Sequence, residues 1–186
     1  MPDPRRVAIL ISGRGSNMRA LVEHAENYEV VVVASNKPGA PGLEWARERG
    51  IATWSLESKG LSKEDYDRTL SALLEQHEVG TIALAGFMRI LSPWFVGQWA
   101  GRIVNIHPSL LPNYRGLDTH ARAIEAGDTI AGCSVHLVTE ELDAGEVLGQ
   151  AEVPILGDDS PATLEQRVLA AEHRLYPQVL NEFVLR

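Results

Sequence analysis

Runs of apolar, often β-branched residues recur along the chain: VAILIS (7–12), EVVVVAS (29–35), a short IATWSL (51–56), VGTIALAG (79–86) and RIVNIH (102–107). The first few show little polar–apolar alternation, which predicts strands covered on both faces. Between them the spacing becomes helical. Pro41 to Arg49 opens on proline and is followed by Gly50. Ser62 to Gln76 opens with a predicted capping box of Ser62 and Asp65 and places Tyr66, Leu70, Leu73 and Leu74 on one face. Strands alternating with helices of about 10 to 15 residues predict a right-handed, mostly parallel twisted sheet with helices on both faces, a doubly wound α/β fold.

From about Cys133 the pattern changes to two strand-like runs, GCSVHLVT (132–139) and EVLGQAEVPI (146–155), joined by the short acidic turn EELDAG. This spacing predicts a hairpin, so the sheet should end in an antiparallel C-terminal portion. The last element starts at Ser160, a cap residue, with Pro161 in the first helical position; Leu164, Val168, Ala171 and Leu175 then form one stripe. Pro177 is expected to kink or end that helix near Tyr176. Without repeats, low-complexity tract or linker, residues 1–186 read as one domain.

Composition narrows the partners. A hydrophobic fraction of 45% and a charged fraction of 23% suit a globular core, and a net charge of −8 argues against a nucleic-acid polymer held by phosphate neutralisation. One cysteine, Cys133, cannot form an internal disulfide, and the absence of CxxC or HExxH spacing leads us to expect a reducing compartment and no metal. The apolar run after MPDPRR is only about six residues, too short for a signal core or a membrane span, so a cytoplasmic protein without a membrane partner is expected. The segment WFVGQW (94–99) could line a subunit contact or sit in the core, which leaves open a monomer or a weak homodimer.

Three places could carry chemistry. Ser12-Gly13-Arg14-Gly15-Ser16-Asn17 follows a strand and leads into the helix MRALVEHA, where free amides favour an anion. It departs from the dinucleotide fingerprint at Met18 and lacks the Gly-Lys-Ser/Thr of a P-loop, so the loop alone leaves both an anion cradle and a ligand-free glycine turn open. At the end of RIVNIH, strand alternation sends Asn105 and His107 to one face, where the carboxyl ends of strands open into the ligand crevice. An amide donor beside an imidazole suits acyl transfer, in which a carbonyl becomes an oxyanion and a proton leaves the attacking nitrogen. Asp143, in the turn between the last two strands, would orient and charge the imidazole if it reached it; taken alone it reads as a solvated turn acid.

The third place, Phe87-Met88-Arg89-Ile90-Leu91-Ser92-Pro93, is an apolar loop after a strand, with Ser92 and Pro93 starting a short helix. It could line a pocket for a flat heteroaromatic ring or simply pack in the core. Glu172 lies about 80° around the last helix from Leu164, just off the buried stripe, and reads either as a border charge or as a group reaching a sugar hydroxyl. His24, His77 and His173 read as surface residues, whereas His120 and His136 could support the site from behind.

SGRGSN, AGFMRILSP, NIHPSLLPNYRGLDTH and SVHLVTEELDAG, in this order over nearly the whole chain, resemble the glycinamide ribonucleotide branch of the folate-dependent formyltransferase family. The resemblance implies a Rossmann-like formyltransferase fold and transfer of a formyl group from 10-formyltetrahydrofolate, a co-substrate, to the amine of glycinamide ribonucleotide in purine biosynthesis. It implies Asn105, His107 and Asp143 as the catalytic trio, Gly15, Ser16 and Asn17 on the phosphate, and Glu172 on the ribose. It further implies a folate cleft of Lys63, Met88, Arg89, Ile90, Leu91, Asn105 and the turn Thr139, Glu140, Glu141, Leu142 and Asp143. Lys63 stands where relatives can carry arginine, Ala170 where some have a polar side chain, and Arg115 is similar to the methionyl-tRNA branch. A hydrolase or transferase of the same fold with another acceptor, and a non-catalytic nucleotide-binding module, are the alternatives.

Overall fold

A computed structural model describes all 186 residues. Seven strands form one sheet: β1 (Arg6–Ile11), β2 (Glu29–Ser35), β3 (Ala52–Ser55), β4 (Thr81–Leu84), β5 (Ile103–His107), β6 (Ile130–Leu137) and β7 (Val147–Pro154). Six helices connect them: α1 (Ser16–Glu23), α2 (Pro41–Glu48), α3 (Lys63–Gln76), α4 (Pro93–Gln98), α5 (Thr119–Glu125) and α6 (Pro161–Phe183). The strand order is β3-β2-β1-β4-β5-β6-β7; β1 to β5 pair in parallel, and β6 and β7 join antiparallel. Both the doubly wound portion and the antiparallel end follow the hydrophobic pattern.

Strand alternation explains the two cores. Val7, Ile9 and Ile11 of β1 enter one apolar cluster with α1, α2 and α6, while Ala8 and Leu10 enter a second with α3 and α4. WFVGQW belongs to the second core, where Phe95, Val96 and Trp99 are buried. Trp99 Nε1 donates to Ser71 Oγ at 3.0 Å, which gives its one polar atom a partner inside the apolar layer.

Two local expectations change. The helix does not stop at Pro177; α6 runs on to Phe183, because Tyr176 just before the proline and Val179 and Leu180 beyond it are buried in the first core. The Tyr176 hydroxyl reaches the carbonyl oxygens of Leu84 at 2.9 Å and Val104 at 3.0 Å, so the same stretch is also tied to β4 and β5. The second change concerns capping. Ser62 accepts the Asp65 N–H at 3.1 Å, but its hydroxyl donates to the Asp65 carboxylate, which leaves the reciprocal half of the box unmade. The complete capping box forms at Ser160 and Thr163 instead.

Chain crossovers leave β1 toward β2 and β3 on one side, then return past it to β4 and β5 on the other. The crevice where the direction reverses lies beyond the carboxyl ends of β1 and β4, the usual ligand position in an open α/β sheet.

Candidate active site

Three segments meet at this crevice. Ser12, after β1, receives the Met88 N–H on its hydroxyl oxygen at 2.8 Å and donates to Asn36 Oδ1 at 2.6 Å, so the glycine turn, the end of β2 and the loop after β4 are fastened together. Gly15 adopts φ +71°, and a Cβ there would lie 2.8 Å from Met18 Cε, which accounts for glycine at this turn. Ser16 and Asn17 then begin α1. Met18, which displaces the third glycine of a dinucleotide loop, is fully buried against the turn.

Asn105 and His107 sit on β5, two strand spacings from β1 and thus about 10 Å across the sheet. The structure brings His107 and His136 to Asp143: His107 Nδ1 lies 3.5 Å from Asp143 Oδ2, and His136 Nε2 lies 3.7 Å from Oδ1. Asp143 adopts φ +51°, and its carboxylate, 8% exposed, also accepts the Gly116 N–H at 2.9 Å. It is therefore a shielded group fixed between two loops, unlike a solvated turn acid.

Hydrogen-bond partners set the direction of each donor. His107 Nε2 lies 2.9 Å from the Tyr114 carbonyl oxygen, which can only accept, so this nitrogen carries a proton. With a carboxylate 3.5 Å from the other nitrogen, both ring edges face acceptors. His136 Nδ1 likewise donates to the Leu137 carbonyl at 2.9 Å, and burial lowers the pKa of this histidine. Its neutral ring then presents Nε2 as an acceptor to Asn105 Nδ2 at 3.3 Å. One amide hydrogen of Asn105 is thereby held, and the other is free for a substrate oxygen.

Of the two readings of Glu172, the structure excludes the solvated border charge. It is 7% exposed, points at the glycine turn and accepts from Asn17 Nδ2 at 2.8 Å. Burial, partly offset by this hydrogen bond, raises its pKa to about 7. The 80° helical offset sets it just off the edge of the buried stripe, and α1 packs against α6 and covers that flank. His173 is half-buried instead of lying on the surface, for the same reason.

Around the proposed folate side, Met88 is 72%, Ile90 68% and Leu142 59% exposed, whereas Leu91 is buried. The N–H and C=O groups of Arg89, Ile90 and Leu91 make no hydrogen bond within the chain. Lys63, Thr139, Glu140 and Glu141 lie exposed, and Arg115 donates to Glu141 at 3.0 Å. Sequence reasoning missed the buried Asp67 beneath the loop after β4 and the Tyr114 carbonyl behind His107. The polar position Asp67 on the apolar face of α3 was the available signal for the first; no local pattern marked the second. No group of three or more His, Cys, Asp or Glu side chains that could hold a metal ion is present, and no helix is long and apolar enough to cross a membrane.

A Rossmann-like sheet with an amide, an imidazole and a carboxylate gathered at the carboxyl end of β5, beside its switch point, suits a group-transfer enzyme acting on a carbonyl. Residues 5–180 match the family described as Formyl transferase. Phosphoribosylglycinamide formyltransferase of Escherichia coli is 47% identical over 182 residues, covering 95% of this chain and 86% of that protein. The trifunctional purine biosynthetic protein adenosine-3 of Drosophila melanogaster is 48% identical over 97% of this chain, which spans only 14% of that protein. The crystal structure of phosphoribosylglycinamide formyltransferase from Brucella melitensis superposes with a TM-score of 0.93 at 49% identity, over 98% of this chain and 96% of that one. The chain belongs to the formyl transferase family, among the phosphoribosylglycinamide formyltransferases.

Proposed function

We propose that this protein transfers the formyl group of 10-formyltetrahydrofolate to the amine of glycinamide ribonucleotide, a step of purine biosynthesis, with residues 1–186 acting as one formyltransferase domain. The observation that carries the reading is the 3.5 Å contact of His107 with Asp143, with Asn105 joined to the same cluster through His136 at 3.3 Å, beside a glycine turn that opens a helix.

The amine nitrogen attacks the formyl carbon and forms a C–N bond, and the carbonyl electron pair moves onto oxygen. Asn105 donates to that oxyanion through its unheld amide hydrogen. His107, with Nε2 on the Tyr114 carbonyl and Nδ1 facing Asp143, stabilises the oxyanion with its positive charge. Preorganised donors of this kind need no rearrangement as charge appears. Asp143, held by Gly116, keeps the imidazolium charged and oriented. Collapse of the intermediate breaks the bond from carbon to the folate nitrogen, which takes up a proton; the attacking nitrogen loses one, and water beside Asp143 carries it.

Backbone amides of Gly15, Ser16 and Asn17 hold the phosphate at the start of α1, and Glu172 reaches a ribose hydroxyl. Exposed Met88, Ile90 and Leu142 offer apolar surface to the pterin, and the unpaired groups of Arg89 to Leu91 read its edge. Lys63, Glu140, Glu141 and Thr139 border the same cleft. The protein works without a metal, on small molecules, in the cytoplasm, as a monomer or weak homodimer with no nucleic-acid or membrane partner. The net charge of −8 supports the exclusion of nucleic acid.

The test supplies 10-formyltetrahydrofolate, or its dideaza analogue, with and without glycinamide ribonucleotide and follows release of the deformylated folate. Release that depends strictly on the ribonucleotide is expected. Release without it would identify a hydrolase, and binding of a phosphoribosyl ligand with no turnover would identify a non-catalytic module.

A further inference from the structure

The loop after β4 is neither helix nor strand, yet it is pinned at both ends. Ser12 holds Met88 at the front. At the back, Asp67 on the second turn of α3 accepts the Ser92 N–H through Oδ2 at 2.6 Å. Its Oδ1 lies 3.7 Å from Arg89 Nε, and the two side chains are 0% and 16% exposed. The Arg89 guanidinium covers the Tyr66 ring at 4.1 Å from its centroid and donates to the Lys63 carbonyl at 3.3 Å. Between these anchors lie the unbonded backbone groups of Arg89, Ile90 and Leu91.

A fully buried carboxylate is costly, and an apolar residue would fit the packing of Tyr66, Leu70 and Leu74 without that cost. What Asp67 adds is fixation: one oxygen bonds the Ser92 N–H and sets where the loop ends, and the other, with no hydrogen bond of its own, faces the charge of the arginine at the loop's middle. We propose that Asp67 is a positioning residue for the formyl-folate, holding the backbone of Arg89 to Leu91 where its N–H and C=O groups meet the edge of the pterin ring. The inference rests on assigning this loop to the folate, and it makes Asp67 act through the loop without touching the substrate.

Such a role separates the two substrates. The glycine turn and Glu172 lie on other elements, so loss of Asp67 should leave the ribonucleotide side alone. With the full chain, Asp67→Ala is expected to raise KM for the formyl-folate on the order of tenfold, the effect of losing one buried charge-assisted hydrogen bond. Asp67→Asn, which keeps an acceptor for Ser92 but not the charge facing Arg89, should raise it less. In both, kcat at saturation and KM for the ribonucleotide should stay within about twofold, and amide hydrogen exchange at Ser92, whose N–H is bonded to Asp67, should accelerate in the free Asp67→Ala protein. If Asp67→Ala does not fold, Asp67→Asn decides by the same measurements. Equal changes in both KM values and kcat would make Asp67 merely structural and overturn the proposal, as would an unchanged folate KM in folded variants. A wild-type protein that ignores the formyl-folate instead refutes the parent assignment.

Discussion

Replacing Glu172 with glutamine should change how stability depends on pH, and the size of the change follows from burial. In the folded protein this carboxyl titrates at about 7 against an ordinary value of 4.5, mainly through desolvation. Below about pH 4.5 it is neutral in both states. As pH rises from about 4.5 to about 7, the unfolded chain ionises while the folded one keeps its proton, so stability is lost across that window. The move from 4.5 to about 7 amounts to about 3 kcal/mol between pH 4.5 and 8. Glu172→Gln imitates the neutral acid and keeps an acceptor for Asn17. It should therefore gain about 3 kcal/mol relative to wild type on going from pH 4.5 to 8, whatever its stability at either end. Urea unfolding of both proteins at several pH values measures this, and the subtraction removes histidines and other shared groups. A difference constant to within about 0.5 kcal/mol over that range would show that Glu172 is hydrated or compensated in the fold, and the burial argument would fail.

Asn105→Ala and His107→Ala should each lower turnover by about 10² to 10³ with an unchanged circular dichroism spectrum; near-normal turnover in either rejects the oxyanion assignment. His136→Ala removes the acceptor that holds one Asn105 hydrogen, so kcat should fall by about tenfold while KM for the ribonucleotide is retained, as steady-state kinetics will report. Gly15→Ala forces a side chain into the left-handed region against Met18, and should cost about 1–2 kcal/mol in thermal unfolding and weaken ribonucleotide binding in calorimetry. Cys133 is fully buried, with its thiol pushed up to about 12 by burial, so the native protein should resist thiol reagents until urea unfolds it; rapid native labelling would contradict the packing of β6.

Much of this protein is written locally. The doubly buried run of β1, the proline and serine starts of α2, α4 and α6, and the period change after Cys133 each depend on neighbours in the chain, so they yield strands, helix ends and the antiparallel edge directly. Asn105 and His107 share a face because strand geometry allows nothing else at a spacing of two. Distance and burial are different. Asp143 becomes a partner of His107 only because β6 pairs with β5 and the following turn closes against Gly116. Glu172 becomes a buried acid because α1 packs on α6, and helix α6 continues through Pro177 because the core beyond it is apolar. Asp67 looks like a flaw in an amphipathic helix until the loop after β4 folds onto it. Hydrophobic period and backbone propensity act over a few residues and can be read in one dimension; desolvation and charge pairing depend on which distant segments exclude water together, and only the folded chain decides that.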